Sequence, residues 1–423
     1  MSEHRTSTLA SGVRVITERM ENLRSVALGF WIGTGSAMES DDQAGLSHLL
    51  EHMLFRGAGG HSSREIDELF DAMGAEINAG TDRETTSLYT RVLDRHLERA
   101  LTAMGEMVWD PRFEDLAAER EVVLEEIAMY EDDPQDRVFD LLGEAVFGSH
   151  PLGRAVIGRA EVVRGVDGDG LRAFHDERYR PERLVLAAAG SVDHERLCEL
   201  IEQACPAFDT AKGQTDEQTE PAFERRVRFL RKDTEQYHLC LGGRGISRHD
   251  KRRFALRVLE GVLGGTSSSR LFQAVRERRG LAYSVFSFSN LHAHTGEVGI
   301  YVGTRPENLR EAMSTIAEEL QRFVEEPASE QELERSRENV KGRMALALES
   351  TAARMSRLGS SLLAELPILT VDEIIERIEA VTVADLRELA CELFAPERLS
   401  LAGVGAEQEA FLDAIQTLQP VAS

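Results

Sequence analysis

The chain runs to 423 residues, more than one hydrophobic core usually serves, so two or more domains are expected. Apolar residues make up 42% and charged residues 29%, the balance of a folded globular protein rather than a disordered or fibrous one. A formal charge of -25 opposes phosphate backbones and anionic membranes, which argues against nucleic acid or a lipid surface as a partner; it suits either a solubilising acidic surface or cationic ligands such as basic peptides.

In chain order, the opening stretch "MSEHRTSTLASGVRVITE" lacks an apolar core of signal-peptide length. No later segment approaches the roughly 20 apolar residues that span a bilayer, so cytoplasmic residence is expected. "GVRVITE" and "SVALGFWIG" read as strands. "GLSHLLEHMLFRG", residues 45–57, then reads as a helix with two unlike faces. At 100° per residue Leu46, Leu49, Leu50, Met53 and Leu54 share one arc, while His48, Glu51 and His52 share the other. Two histidines four apart can point at one ion, the spacing of zinc sites on helices, with Glu51 between them as a candidate base for a water. A merely solvated polar face remains the alternative at this point.

"INAGTD" follows, where Asn78 and Ala79 by themselves pass as turn residues. After the strand-like "TTSLYTRV" and a helix start at "HLERAL" comes "EDLAAEREVVLEEIAMYEDDP", a helix from near Glu114 that Pro134 ends. Glu119 and Glu126 lie within about 20° of each other on its apolar side, alongside Val122, Val123 and Tyr130. A carboxylate buried there needs a charged partner or a metal, whereas Glu125 points elsewhere. Catalytic zinc usually has three protein ligands, so Glu126 is the third candidate, with Glu119 supporting the site from behind. A buried carboxylate met by Arg or a backbone amide is the plainer alternative.

"LRAFHDERYRPERLVLAAAG", from Leu171, returns 215 residues later as "LRELACELFAPERLSLAGVG", and "HLERAL" at His96 is echoed by "NLREAM" at Asn308. Two equivalent domains follow from these echoes. The polar stretch 206–223 is the joint, dividing the chain into 1–208, a linker at 209–222, and 223–423. Each half is expected to be α+β, with helices on one face of a largely antiparallel sheet. Where the first half reads "GLSHLLEHMLF" the second reads "GVLGGTSSSRLF", without histidine or glutamate, so one copy alone carries the metal motif. His292 and His294 in "NLHAHTG" read as a surface turn. Cys198, Cys205, Cys240 and Cys391 lack CxxC spacing and read as reduced, mostly buried thiols.

Taken together, "HLLEHMLFRG", "GAEINAGTDRETTSLYTRV", "EREVVLEEI", "EIAMYEDDPQDRV" and "SSSRLFQAVRERRGLAYSVFSF" resemble the pitrilysin family of inverted-motif zinc peptidases, especially its half-length processing-peptidase subfamily. The resemblance implies a zinc endopeptidase acting on extended peptides in an enclosed chamber. Zinc would be held by His48, His52 and Glu126, with Glu51 as general base and Glu119 in support. It further implies that Asn78 and Ala79 lie on an edge strand to which peptide adds, with Phe55 beside them as a substrate contact. Arg276 and Tyr283 in "VRERRGLAY" would meet substrate near the scissile bond; without the resemblance they read as a basic helix end and a strand core residue. Full-length relatives fold four such domains into a clamshell, so this chain would supply half of one, and a homodimer with composite sites is expected. The rival readings are a non-catalytic scaffold of the same fold and a metal hydrolase of another substrate.

Overall fold

Two β-sheets organise the chain in a computed structural model, which describes residues 4–206, 221–222 and 224–418. All but two residues of the expected linker at 209–222 lie outside the described residues. The first sheet holds β1 (His4–Thr8), β2 (Arg14–Arg19), β3 (Ser25–Ile32), β4 (Glu76–Thr81), β5 (Thr86–Leu93) and β6 (Leu184–Gly190), in the order β1-β2-β6-β3-β5-β4. Its pairs are antiparallel except β2 with β6. The second holds β7 (Val227–Arg231), β8 (Tyr237–Gly245), β9 (Ala282–Leu291), β10 (Gly296–Thr304) and β11 (Ser400–Gly405), in the order β7-β11-β8-β10-β9. Only β7 with β11 is parallel.

Without β1, the two sheets match strand for strand. The repeated sequence accounts for this at its own positions. "LRAFHDERYRPERLVLAAAG" forms a helix, a single 3-10 turn opened by Pro181, and β6; its echo forms a helix, a turn opened by Pro396, and β11. Proline suits the first position of such a turn, where its missing N–H is not required. "HLERAL" and "NLREAM" likewise open the helices Leu97–Trp109 and Leu309–Glu325 directly after β5 and β10. Among the described residues, no helix is long and apolar enough to cross a membrane.

The expectation of helices on one face only needs correction. Most helices do cover one face of each sheet, where Leu28, Phe30, Leu49, Met53, Met104 and Val123 share the core of the first unit. The opposite face of that sheet is covered too, by the helix Thr351–Leu363. Its Met355 and Leu358 pack on Ile16, Ala27, Trp31, Val185, Ala187 and Ala189. Gly29 and Gly359 make room for the Trp31 ring, since a Cβ on either would lie within 2.5 Å of it. Glu18, buried on β2, pairs with Arg354 and Arg357 of the same helix. In the second unit the helix Pro134–Phe147 packs on β8 and β11 in the same way.

Contacts therefore gather the chain into two units that are not contiguous halves. One comprises the described residues up to 128, those from 155 to 206, and 346–368; the other comprises 129–154, 221–345 and 369–418. Each unit completes its sheet with a helix drawn from the other half of the sequence. The cysteines are free as expected, but only Cys240 is fully buried; Cys198 and Cys205 are half-buried and Cys391 is exposed.

Candidate metal centre

The motif helix spans Leu46–Met53 and starts at Gly45, whose φ of 105° is readily available only to glycine. The buried carboxylate of Glu39 caps it, accepting the backbone N–H of Gly45 at 2.8 Å and of Ser47 at 2.6 Å. Leu46, Leu49, Leu50 and Met53 are sunk in the core, which aims His48, Glu51 and His52 away from it. The two imidazoles meet edge to face with centroids 4.8 Å apart.

A second helix, Leu116–Asp132, brings the carboxylates. Its approach is stitched to the end of the motif helix, with Arg112 N–H donating to the Gly57 carbonyl at 2.8 Å and Glu114 N–H to the Arg56 carbonyl at 2.9 Å. Glu119, Val123 and Ile127 are its buried residues, and Glu126 lies on the same side. Val122 and Tyr130, expected among the buried set, are 48% and 42% exposed. Val122 sits 100° from Val123 and turns outward, and Tyr130 lies in the last turn beyond the core residue Ile127. Glu125 is exposed.

Three ligand atoms converge. Glu126 Oε2 stands 3.3 Å from His52 Nε2 and 3.6 Å from His48 Nε2, and one atom from each residue falls within a 4.8 Å group, the one such group of three among the described residues. His52 Nδ1 lies 2.8 Å from Glu119 Oε1, and the other oxygen of Glu119 pairs with Arg56. With Nδ1–H donated to that carboxylate, His52 Nε2 faces a carboxylate oxygen of Glu126, and the pair needs a proton or a metal ion between the two atoms. His48 Nδ1 is buried and has no hydrogen-bond partner among the described residues. Burial, with His52 adding to it, pushes the His48 pKa down to about 4, so the ring is neutral, the form that binds metal. Two imidazoles and a carboxylate suit zinc.

Glu51 faces β4, where burial raises its pKa while a hydrogen bond with Thr81 partly offsets the shift. β4 packs against the motif helix and is the outer strand of its sheet. Asn78 pairs with Tyr89 and Ala79 with Leu88, and the other edge has no strand partner among the described residues. Phe55 is half-buried against the same core.

The second unit brings Arg276 and Tyr283 together through two backbone irregularities. Arg276 lies on a π-type turn, Phe272–Glu277. Tyr283 is the extra residue of a bulge, since Gly303 pairs with Ser284 and Thr304 with Ala282. Both devices re-aim side chains and recur at functional sites. The Arg276 guanidinium lies 4.3 Å from the Tyr283 ring centroid and 4.8 Å from that of Phe272, and donates to the Tyr283 carbonyl at 3.1 Å. Tyr283 itself is 77% exposed, not a core residue. Of the pair expected on a surface turn, His294 is exposed but His292 is buried against Phe147, ring to ring at 5.9 Å. Sequence reasoning missed Glu39 and Arg56; only the position of Arg56, four after His52, hinted that it shares that face.

Comparison with known proteins agrees across the chain. Residues 14–160 match the family model described as insulinase (peptidase family M16), and residues 165–340 match the one described as the peptidase M16 inactive domain. The uncharacterized zinc protease YmxG of Bacillus subtilis is 41% identical over 92% of this chain and 95% of its own. The uncharacterized zinc protease SCO5738 of Streptomyces coelicolor is 38% identical over 95% and 89%. Two solved structures share the fold. A peptidase M16 inactive domain from Pseudomonas fluorescens has a TM-score of 0.89 at 22% identity, covering 96% of this chain and 98% of that one. A protease from Helicobacter pylori has a TM-score of 0.87 at 20% identity, covering 96% and 99%.

Proposed function

The chain belongs to peptidase family M16, and we propose that it is a zinc-dependent endopeptidase cleaving extended peptides or unfolded segments in an enclosed chamber. The observation that carries this reading is the convergence of His48, His52 and Glu126, with Glu51 on the same helix and an open strand edge beside it. Zinc, when bound, supplies a Lewis acid that polarises the scissile carbonyl and acidifies water. The residues of the chain do the rest. The free edge of β4, at Asn78 and Ala79, takes the substrate as an added strand and holds it extended. Glu51 accepts a proton from the attacking water and returns it to the leaving amine. Glu119 fixes the ring of His52.

Arg276 and Tyr283 complete the proposal. Two copies of the chain would supply the four domains of a full-length relative, with Arg276 and Tyr283 of one copy holding substrate beside the zinc residues of the other. The charge of -25 favours basic peptides, whose cleavage should slow as salt rises. Glu51→Gln tests the reading directly. It should retain zinc and lose at least about 100-fold in turnover of a quenched peptide library. Wild-type turnover that a chelator does not abolish would overturn zinc catalysis, and no turnover at all would leave the scaffold reading.

A further inference from the structure

Arg56 closes the chain of contacts behind the zinc ligands, and it does so twice. Its side chain, about one-third exposed, pairs with Glu119, whose side chain is only 5% exposed. Its carbonyl accepts the N–H of Glu114, two residues before the carboxylate helix begins. One residue thus ties the end of the motif helix to the approach of the other helix through the backbone, and to its first turn through a charge. The consequence lies in the orientation of Glu119. A carboxylate held at one oxygen by His52 could still swing about that bond; the charge of a guanidinium paired with the other oxygen restrains that swing. A fixed Glu119 fixes the ring it bonds, and the His52 Nε2 direction with it.

We infer that Arg56 is a positioning residue for the metal centre, acting through Glu119 to set the His52 ring. This rests on the zinc reading above and names a further residue of that site. Arg56 touches neither the ligand atoms nor the open edge of β4 in any contact described, so its effect should appear in metal affinity rather than in the chemistry of the loaded protein.

The test is a double-mutant cycle in zinc affinity on the full chain, measured by competition with a chromophoric chelator. Arg56→Gln, Glu119→Gln and the double variant are compared with wild type, and the melting of each metal-free protein is recorded alongside. Arg56→Gln should weaken zinc about tenfold, the scale of an outer-partner loss. Added to Glu119→Gln, it should weaken zinc no further, because the group it acts through is already gone. Arg64→Gln, whose ion pair with Glu68 lies on the surface, should leave affinity unchanged. Wild-type affinity in Arg56→Gln, or equal losses in both backgrounds, would overturn the inference while leaving the zinc site intact. Should Arg56→Gln alone fail to fold, Arg56→Lys takes its place in the cycle, and a further loss on adding Arg56→Gln to Glu119→Gln, a pair that leaves no buried charge unpaired, would still overturn the inference. A wild type that binds no zinc would overturn the site and the inference together.

Discussion

Replacing Glu126 by Gln isolates the charge of one proposed zinc ligand. The amide keeps the length and helix propensity of the side chain, so what is lost is the anionic oxygen standing 3.3 Å and 3.6 Å from the two imidazole nitrogens. Loss of an outer partner of a metal ligand costs about 10–100-fold in affinity. Loss of one of three direct ligands should exceed that, so the zinc Kd should rise more than about 100-fold, or about 2.7 kcal/mol. Glu125, one residue away, is exposed and points about 100° around the helix. Glu125→Gln should therefore bind zinc within about twofold of wild type, as a surface substitution away from special features does. Chelator competition gives the affinities, and circular dichroism checks the fold. If Glu125→Gln releases zinc while Glu126→Gln retains it, the phase assigned to this helix and the site built on it are wrong.

Three further outcomes are expected. In the second unit Arg270 grips Glu332 at 2.8 and 3.0 Å and holds its pKa down to about 2. A carboxylate depressed in the folded state contributes stability above its unfolded pKa that is lost as pH falls through the folded value. Urea unfolding should therefore show up to about 3 kcal/mol lost between pH 5 and 2, and Arg270→Gln should flatten that loss. Gly359→Ala should destabilise the protein by about 1–3 kcal/mol and perturb Trp31 fluorescence, since the added methyl meets the indole. Gly342→Ala, with nothing within 4 Å, should be neutral or stabilising, and equal melting of the two would count against the tight packing described. If two copies share sites as proposed, mixing Glu51→Gln with Arg276→Ala/Tyr283→Phe should raise activity above either parent once subunits exchange, because one composite site in the mixed dimer is then intact. Exchange without that rise would refute sites shared between copies.

The motif helix was legible because its information is local: eight residues at 100° each fix which side chains share a face. The strand-for-strand match of the sheets was legible because two segments kept their helix, proline turn and strand in one register. The helices on the second sheet faces were not foreseen, for periodicity within an element says nothing of a partner about one hundred to more than three hundred residues away. A signal was present all the same. "SVALGFWI" and "LVLAAAG" are apolar at nearly every position, as strands buried on both sides are, and each is buried almost throughout. Val122 and Tyr130 are apolar yet exposed, because the side of that helix turned to the core of the first unit is the one that carries Glu119, Val123 and Ile127. The π-type turn and the bulge that seat Arg276 and Tyr283 leave no pattern that propensity could read.

The exchanged helices also bear on how the chain is made. On the ribosome the last strand of the first sheet is complete at Gly190, yet the helix that covers its second face ends at Leu363. At about 5–20 residues per second, Ile16, Trp31 and their neighbours stay uncovered on the nascent chain for roughly ten to thirty seconds. During that interval the sheet presents an apolar face suited to a chaperone or to misassociation with another nascent copy. A fragment ending near residue 208 would keep that face for good, so it should be insoluble unless the peptide 346–368 is supplied in trans.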